Sequence, residues 1–468
     1  MNTQGAECPS GSRRDRQRCR GALRRNAVLP CVYFLLRDKR FEILADLLER
    51  DGWSELQIRD HQSKRLASLL RVSWDHNPYW REKFETHGVN PHGSDPFNEL
   101  SKLPILTKDE LRQNWRRMRS DHLPLRSLIH ETSSGSTGMP INVYHSRYYH
   151  DLDAAMHYRM CSWMGIQVGE PYLAVGASGP FMTWKKSFLR SCRNLLDAGQ
   201  IIDGNILDRT RIARQLRKAE SRRPAHVFGY ATALVEVARV GQQLGITWDS
   251  VRAVSTTSEC LFDKDRQYLS QTFGAPVFDR YGSREVSSIS MECPRGHHHQ
   301  FADLNILEFL PLEDADEGLH AVVVTPLENE AMPMFRYQNG DSARAVHAKC
   351  SCGRRLPLMS ACCGRICNNL LAPDGRLVHG TYFLNFFYYQ EGFRAWQFHQ
   401  TSLEKIDLYV VPDGLLSDER REYLHKCIDK IAHDYRGQFH VELHIVDSIP
   451  KTSSGKHLYT ISDVLKNL

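Results

Sequence analysis

The spacing of apolar residues changes along the chain, and each change predicts a different kind of structure. From about residue 37 to residue 120 these residues recur at helical spacing, as at Leu66, Leu69, Leu70 and Trp74, which predicts a helical segment. Beyond Ile129, short apolar runs alternate with helical stretches, and this alternation is typical of a parallel α/β sheet. The predicted buried strands are Tyr172–Gly176, His226–Gly229, Val251–Ser255 and Pro276–Asp279, with helices over Arg211–Glu220 and Leu234–Leu244.

The pattern changes again toward the C-terminus. Residues 304–346 are mostly β in character, with Leu319–Thr325 as the clearest strand, and a βα pattern follows Gly364, with strands over Ile406–Val411 and Val441–Val446 and a helix over Asp418–Ala432. The predicted fold class is α/β: a large N-terminal domain with mostly parallel sheets and a β-rich subdomain, and a small, mobile α+β C-terminal domain. The predicted domains are a basic, disordered tail (1–36), a large domain (37–364) and a small domain (365–468).

Composition and charge narrow the class of protein. The chain has 468 residues, of which 41% are hydrophobic and 25% charged, so it is a folded protein long enough for two or more domains. Its 61 Lys and Arg residues exceed its 55 Asp and Glu residues, but residues 1–40 alone hold ten basic and three acidic residues. The rest of the chain is close to neutral, which argues against nucleic-acid binding.

No apolar segment is long enough for a membrane-spanning helix. The run Ala27–Leu36 is too short, and no small-residue cleavage site follows it, so a tail that leads into a first helix is predicted, with an organelle transit peptide as the alternative. The 13 cysteines are an odd number and several are clustered, which favours reduced thiols and a metal site in the cytoplasm. The sequence predicts nothing about the oligomeric state.

A serine- and glycine-rich segment follows the apolar pair Leu128-Ile129. It runs from Thr132 to Pro140 as TSSGSTGMP, and apolar residues resume at Ile141. Glycines let the backbone approach a polyanion, and hydroxyl and N–H groups can bond to phosphate oxygens, so a phosphate-binding loop between two strands is one interpretation. A Ser/Gly linker is the other. The candidate phosphate-binding residues are Ser133, Ser134, Gly135, Ser136, Thr137 and Gly138.

Three further polar motifs follow along the chain. They are Tyr281-Gly282-Ser283-Arg284-Glu285, Phe335-Arg336-Tyr337-Gln338-Asn339-Gly340-Asp341 and Pro450-Lys451-Thr452-Ser453-Ser454-Gly455-Lys456. The first of them directly follows a predicted strand, and loops at the carboxyl ends of parallel strands are where α/β proteins bind ligands.

In this order and at these spacings, the four motifs resemble those of the adenylate-forming ligase superfamily, most closely its phenylacetate–CoA ligase/CapK-like branch. The resemblance implies ATP-dependent adenylation of a small carboxylic acid to acyl-AMP, followed by transfer to coenzyme A. It implies Lys456 and Glu285 as catalytic residues, the first bridging the carboxylate and the α-phosphate and the second near Mg²⁺. The remaining nucleotide contacts that it implies are Asp341 on the ribose, Tyr281, Gly282 and Ser283 around the adenine, and Arg365 on the ribose or phosphate.

The motifs depart from the family pattern at three positions. Met139 stands where the phosphate loop usually has lysine, which removes a charge near the pyrophosphate. Cys367 stands where the hinge commonly has Asp or Lys, and Asn339 interrupts the spelling of the third motif. Because Lys456, Asp341 and Glu285 are all retained, an active enzyme is expected.

Four cysteine and histidine residues suggest a metal site. Cys293, His299, Cys350 and Cys352 supply the four soft or borderline ligands that tetrahedral Zn²⁺ requires, and CapK-like sequences carry a similar arrangement. Four protein ligands leave no open position, so the predicted zinc is structural. His297 and His298 are alternatives to His299, and Cys362, Cys363 and Cys367 are competing thiols.

Other functions remain open from the sequence. The acceptor is coenzyme A or, as an alternative, an amine or a hydroxyl, with AMP transfer or a sugar-linked acceptor as variants. A zinc-stabilised, non-catalytic nucleotide-binding protein is the alternative from another class. Aromatic residues near the expected pocket, Phe181, Trp184, Phe228 and Tyr230, permit an aryl or a fatty acid without identifying it.

Overall fold

The N-terminal part of the chain is helical in the computed structural model, as the apolar spacing predicts. The structure describes residues 27, 29–133, 141–176, 199–203, 209–258, 261, 263–311, 320–361, 370–375, 377–378, 382–383, 386–387, 390, 392–450 and 458–466. The helices before the first strand are α1 (Leu29–Leu35), α2 (Arg40–Arg50), α3 (Glu55–His76), α4 (Pro78–His87), α5 (Pro96–Ser101) and α6 (Lys108–Asn114). Helix α1 lies inside the segment predicted as a tail, and its Leu29 and Tyr33 are buried.

Capping residues fix the ends of the longest of these helices. Helix α3 begins with a capping box, in which the Ser54 side chain accepts from the Gln57 N–H while the Gln57 side chain accepts from the Ser54 N–H. It ends at Asn77, whose side chain caps α4 by accepting from the Trp80 N–H at 3.1 Å, and Pro78 provides the first residue of α4. The predicted break at Asn77-Pro78 is therefore a junction between two helices.

A β-hairpin flanks the predicted phosphate loop. Strands β1 (Ile129–Ser133) and β2 (Ile141–His145) pair in antiparallel register, from Ile129 opposite His145 to Ser133 opposite Ile141. Helix α7 (Arg147–Trp163) follows directly, because Ser146 caps it by accepting from the Tyr149 N–H.

A nine-stranded mixed sheet forms the centre of the large domain. Its strands in chain order are β3 (Tyr172–Gly176), β4 (Gly199–Asp203), β5 (His226–Tyr230), β6 (Ala253–Thr257), β7 (Val277–Ser283), β8 (Ser287–Glu292), β9 (His298–Gln300), β13 (Ala345–Val346) and β14 (Leu358–Met359), and their spatial order is 13-14-9-8-7-6-5-3-4. The neighbouring pairs β4–β3, β3–β5, β5–β6 and β6–β7 are parallel. The pairs β7–β8, β8–β9, β9–β14 and β14–β13 are antiparallel. The α/β fold class is confirmed, with an antiparallel extension on one side of the parallel strands.

Helices cover the two faces of this sheet differently. The helices α8 (Arg209–Arg222), α9 (Ala231–Gln243) and α10 (Asp263–Phe273) pack on one face, where Val175, Val227 and Val254 form an apolar core with them. Helix α7 covers the other face together with α2. Apolar side chains bury the first face, as is expected of parallel sheets.

The β-rich subdomain is a three-stranded antiparallel sheet. It contains β10 (Asn305–Pro311), β11 (His320–Pro326) and β12 (Tyr337–Ala343), and the strand predicted at Leu319–Thr325 is β11. The sheet packs on the N-terminal helices through a core that includes Trp80, Phe84 and Phe335. This packing brings β12 beside α6.

The C-terminal part has a sheet and a core of its own. After two short paired strands, β15 (Leu370–Leu371) and β16 (Leu377–Val378), a four-stranded sheet in the order 19-18-17-20 comprises β17 (Phe393–Gln400), β18 (Lys405–Pro412), β19 (His440–Ile445) and β20 (Thr460–Ser462), with helices α11 (Asp418–Asp434) and α12 (Asp463–Lys466). Trp396, Phe398, Leu408 and Leu424 belong to its core. The domain boundary predicted at residues 364/365 lies outside the described residues. In the parts of the chain that the structure describes, no helix is both long and apolar enough to cross a bilayer.

Candidate active site and metal centre

The second and third sequence motifs meet in one hydrogen-bonded unit. Tyr281, near the end of β7, donates its hydroxyl to Asp341 Oδ2 at 3.0 Å, although the two residues are 60 positions apart. Asn339 Nδ2 donates to the same hydroxyl oxygen at 2.6 Å, and the Asp341 N–H donates to Asn339 Oδ1 at 3.1 Å. All three residues are buried. The Asp341 carboxylate is thereby held beside the strand end that carries Tyr281.

Sequence reasoning missed two residues of this unit. Asn339 is the residue that interrupts the family spelling of the third motif, yet it links Tyr281 to the backbone of Asp341. Lys108, the buried first residue of α6, lies against Gly340, because a Cβ added at Gly340 would come within 2.9 Å of its Nζ. Gly340 has a positive φ of 78°, a backbone conformation that favours glycine. The departure from the motif was the only signal for Asn339, and Lys108 had none.

A tight turn between β7 and β8 holds Glu285. Tyr281, Gly282 and Ser283 are the last residues of β7 rather than loop residues, so the prediction that this motif forms a loop beyond the strand is wrong for its first half. A Cβ at Gly282 would collide with the carbonyl oxygen of Ser287 across the hairpin, and Ser283 Oγ accepts from the Val286 N–H at 3.3 Å. The Glu285 residue that follows is 1% exposed.

His145 ties this turn to the hairpin that flanks the phosphate loop. It is the last residue of β2, and it forms a hydrogen bond with the backbone of Glu285. Burial lowers the pKa of His145, and the carboxylate of Glu131, 3.9 Å away on β1, opposes that shift. The β1–β2 hairpin and the Glu285 turn are therefore neighbours.

Several predicted site residues lie outside the described residues. They are Ser134, Gly135, Ser136, Thr137 and Gly138 of the phosphate loop, together with Arg365 and Lys456. Ser133 is the last residue of β1. The assignments of phosphate binding to this loop and of catalysis to Lys456 stay predictions.

The four predicted zinc ligands converge. One ligand atom from each of Cys293, His299, Cys350 and Cys352 lies within 4.8 Å of every other. The Cys293 Sγ–Cys350 Sγ distance is 3.6 Å and the Cys352 Sγ–His299 Nε2 distance is 3.3 Å. Tetrahedral coordination with Zn–S bonds of about 2.3 Å separates two sulfur ligands by about 3.8 Å, so the spacing and the donor types both fit zinc.

Local hydrogen bonds orient these ligands. The Arg295 N–H donates to Cys293 Sγ and the Cys352 N–H donates to Cys350 Sγ, each at 3.4 Å. His299 Nδ1 lies 3.0 Å from the Leu356 carbonyl oxygen, which directs Nε2 toward the cysteines in the manner of metal-bound histidines.

The structure also distinguishes among the three consecutive histidines. Successive residues of β9 point to opposite sides, so His298 faces Ser290 and Asp279 while His299 faces the cysteines. His297 Nδ1 lies 3.6 Å from Cys350 Sγ but is outside the four-residue group. Cys362, Cys363 and Cys367 lie outside the described residues.

A buried network of ion pairs lies next to the cysteine cluster. Arg159 of α7 is fully buried and forms ion pairs of 2.8 Å with both Asp51 and Asp303. Trp163 Nε1 donates to Asp51 at 2.8 Å, and the Trp163 ring meets the His299 ring edge-on at 5.9 Å. The cluster thus connects the sheet to α7 and to the turn after α2.

Comparison with known proteins agrees with this arrangement. Residues 370–463 match the CapK C-terminal domain. The chain is 24% identical over 336 residues to the phenylacetate-coenzyme A ligase of Escherichia coli (67% of this chain, 73% of the relative) and 25% identical over 352 residues to that of Thermus thermophilus (69% and 74%). A 2-hydroxyisobutyryl-CoA ligase, solved in complex with 2-HIB-AMP and CoA, superposes with a TM-score of 0.61 at 17% identity, over 89% of this chain and 92% of that chain.

These matches and the joined motifs define the class of the protein. The chain is an acid–CoA ligase-like enzyme. Its similarity to the adenylate-forming ligase superfamily, and within it to the phenylacetate–CoA ligase/CapK-like branch, confirms the resemblance seen in its motifs.

Proposed function

We propose that the protein activates a small carboxylic acid with ATP and transfers the acyl group to coenzyme A. A carboxylate oxygen attacks the α-phosphorus of ATP and pyrophosphate leaves, giving acyl-AMP. The thiol of coenzyme A, after loss of its proton, then attacks the acyl carbon and AMP leaves. The observation that carries the proposal is the contact between Tyr281 and Asp341, which joins the two motifs that the family uses for the nucleotide.

The nucleotide is proposed to lie at the carboxyl end of β7. Asp341 accepts hydrogen bonds from the ribose hydroxyls, and Tyr281, Gly282 and Ser283 flank the adenine. The residues 133–138 that follow β1 hold the phosphates. Tyr281 and Asn339 hold Asp341 in one orientation, so little ordering is needed when the nucleotide binds.

Glu285 is proposed to bind the magnesium ion that accompanies ATP. Carboxylate oxygen is a ligand that Mg²⁺ prefers, and Glu285 lies in a tight turn beside the β1–β2 hairpin. The bound ion would neutralise the charge that the phosphates carry during the attack. Arg365 is proposed as a further contact to the ribose or phosphate.

Lys456 is proposed to act in the first half-reaction only. Replacement by alanine should cut acyl-AMP formation by about 10²–10³, because a charge directed at the transition state is lost. Thioester formation from preformed acyl-AMP should stay near the wild-type rate. Pyrophosphate exchange and thioester formation measure the two steps separately, and Lys426→Ala is the matched control because Lys426 is an exposed lysine of α11 that pairs only with Glu422 among the contacts described.

The result identifies the class of reaction. If pyrophosphate exchange occurs without thioester formation from coenzyme A, and the acyl group is transferred to an amine or a hydroxyl instead, then coenzyme A is not the acceptor. Absence of exchange with every acid tested, although ATP binds, would overturn the proposal in favour of a non-catalytic nucleotide-binding protein. Equal losses in both half-reactions of Lys456→Ala would contradict the role given to that residue.

The cysteine cluster is proposed to hold one structural zinc ion. The four ligands fill a tetrahedral shell and leave no position for a substrate, and the cluster joins β9 to the segment that precedes β14. Bound zinc would therefore stabilise the antiparallel side of the central sheet. Thiol ligands of this kind require a reducing compartment, which is the basis for proposing that the enzyme is cytoplasmic.

A further inference from the structure

A second cluster of metal-ligating side chains lies in the helical N-terminal part of the chain and shares no residue with the cysteine cluster. It consists of His76, Asp121 and His122, and one ligand atom from each lies within 4.8 Å of every other. Two imidazoles and a carboxylate are donors that divalent transition-metal ions such as Zn²⁺ and Ni²⁺ accept. All three side chains are at least partly exposed, so an ion can reach them from the solvent.

One pair in this histidine cluster already has the spacing of two ligands to a single ion. His76 Nδ1 lies 3.3 Å from Asp121 Oδ1. Two bonds of about 2.1 Å from one ion separate their ligand atoms by about 3.0 Å at an octahedral angle and by about 3.4 Å at a tetrahedral angle. The His122 ring lies beside the His76 ring, with 4.4 Å between the ring centroids and an angle of 42° between the planes. Because the His122 side chain is exposed, it can rotate toward the same ion.

Backbone contacts hold the two halves of the histidine cluster together. His76 is the last residue of α3, and its carbonyl oxygen accepts from the Asp121 N–H at 2.8 Å. The preceding residue, Ser120, donates its N–H to the Ala331 carbonyl oxygen at 2.9 Å and its hydroxyl to the Glu330 carbonyl oxygen at 2.7 Å. These bonds position His76 and Asp121 before any ion binds, so little ordering is needed on binding.

Another mixed cluster in the described part of the chain differs in its charge. Asp407, Glu442 and His444 also bring their ligand atoms within 4.8 Å of one another. Lys405 Nζ, however, lies 2.9 Å from Glu442 Oε2 and 3.4 Å from Asp407 Oδ1, so a cation already neutralises these carboxylates. Asp121 forms no ion pair with a lysine or an arginine among the residues that the structure describes. The histidine cluster can therefore accept a metal ion without displacing a cation.

We infer that His76, Asp121 and His122 form an open binding site for a divalent transition-metal ion. Three protein ligands leave at least one coordination position for water or an outside donor, unlike the four ligands of the cysteine cluster. A bound ion would join the end of α3 to the segment that follows α6. The site is independent of the proposed adenylation reaction, which uses none of these residues.

Calorimetric titration with Ni²⁺ tests the inference. It uses the untagged full chain under reducing conditions, with the cysteine cluster loaded with zinc beforehand. We expect one Ni²⁺ ion per chain at about pH 7.5, where histidine is mostly neutral and can bind a metal. His76→Ala and His122→Ala should each weaken binding by about tenfold or more, since the loss of a group that merely orients a ligand already costs about 10- to 100-fold. His444→Ala, in the cluster that Lys405 neutralises, is the matched control and should leave binding unchanged.

Thermal unfolding provides a second measurement. Ni²⁺ should raise the unfolding midpoint of the wild type and of His444→Ala, because an ion that binds only the folded chain stabilises it, and it should have little effect on His122→Ala. The exposed His122 can be replaced without disturbing a buried contact, so this variant tests the site even if His76→Ala is unstable. Absence of Ni²⁺ binding to the zinc-loaded wild type, or binding that both histidine variants leave unchanged, would overturn the inference. Nickel bound only at the cysteines, recognised by thiolate charge-transfer absorption, would overturn it as well.

Discussion

Replacement of Tyr281 by phenylalanine tests whether the contact between the two nucleotide motifs matters. The change removes one hydroxyl, which donates to Asp341 and accepts from Asn339 inside the protein. Loss of a hydrogen bond to a charged group costs about 1.5–3 kcal/mol, and the Asn339 amide that loses its acceptor adds a desolvation penalty of about 1 kcal/mol or more. The free energy of unfolding should therefore fall by about 2–4 kcal/mol, since all three groups are buried.

Nucleotide affinity should fall in parallel. Asp341 without Tyr281 can adopt other orientations, and the ordering that the native contact supplies in advance must then occur on binding. A loss of about 1.4 kcal/mol corresponds to a tenfold weaker Kd for ATP. Denaturant unfolding and calorimetric titration with ATP measure the two effects.

A control variant and a double-mutant cycle make the test specific. Tyr268→Phe removes an exposed tyrosine hydroxyl that donates to Gln242, so it should change neither quantity measurably. Tyr281→Phe and Asn339→Ala should show a coupling energy of about 1 kcal/mol, because they remove the same bond. Strict additivity of the two substitutions, or a Tyr281→Phe variant that matches Tyr268→Phe in stability and ATP affinity, would refute the reasoning.

Two further predictions concern the metal centre and pH. Cys352→Ser should reduce zinc content, measured on the purified reduced protein, from about one ion per chain to near zero and lower the unfolding midpoint by several degrees, whereas Cys31→Ser, which alters an exposed cysteine, should do neither. Wild-type protein without zinc would contradict the proposed site. Burial gives His226 a folded pKa of about 3 against an ordinary 6.5, so the unfolded chain binds its proton more readily and stability is lost as pH falls below 6.5, by about 1.4 kcal/mol per pH unit. His226→Gln should therefore lose less stability than wild type between pH 6.5 and pH 5 in denaturant unfolding, and identical pH profiles would show that His226 is not buried as a neutral group.

Prediction from sequence is most accurate for elements whose apolar residues are continuous or regularly spaced. The strand predicted at Tyr172–Gly176 is β3 with the same bounds, and the helix predicted at Asp418–Ala432 is α11 with two more residues. Both elements bury a continuous or periodic set of apolar side chains, and this burial is visible in the local pattern.

The strands that lead into the candidate site are longer in the structure than the apolar pattern predicts. A strand was predicted at Val251–Ser255, but β6 continues to Thr257, and β7 continues past the predicted end at Asp279 to Ser283. The added residues are mostly polar, and those of β7 from Tyr281 onward belong to the nucleotide motif. The apolar sequence pattern therefore ends before the strands do. The polar residues beyond it lie at the end of the sheet that carries the candidate site.

The sequence by itself determined the residue types that carry the chemistry. The four motifs identified the superfamily, and the spacing of Cys293, Cys350 and Cys352 predicted a metal site because thiols in polar, glycine-containing turns have few other uses. Such information is local, since each motif is a short run whose composition alone is distinctive.

Only the tertiary structure decided which of these residues meet. Asn339 joins Tyr281 to Asp341, and His299 rather than His298 faces the cysteines. Each of these outcomes depends on strand register, because a shift of one residue turns a side chain to the other face of its sheet. Register is set by contacts between segments far apart in the chain, so a pattern read along one segment cannot contain it.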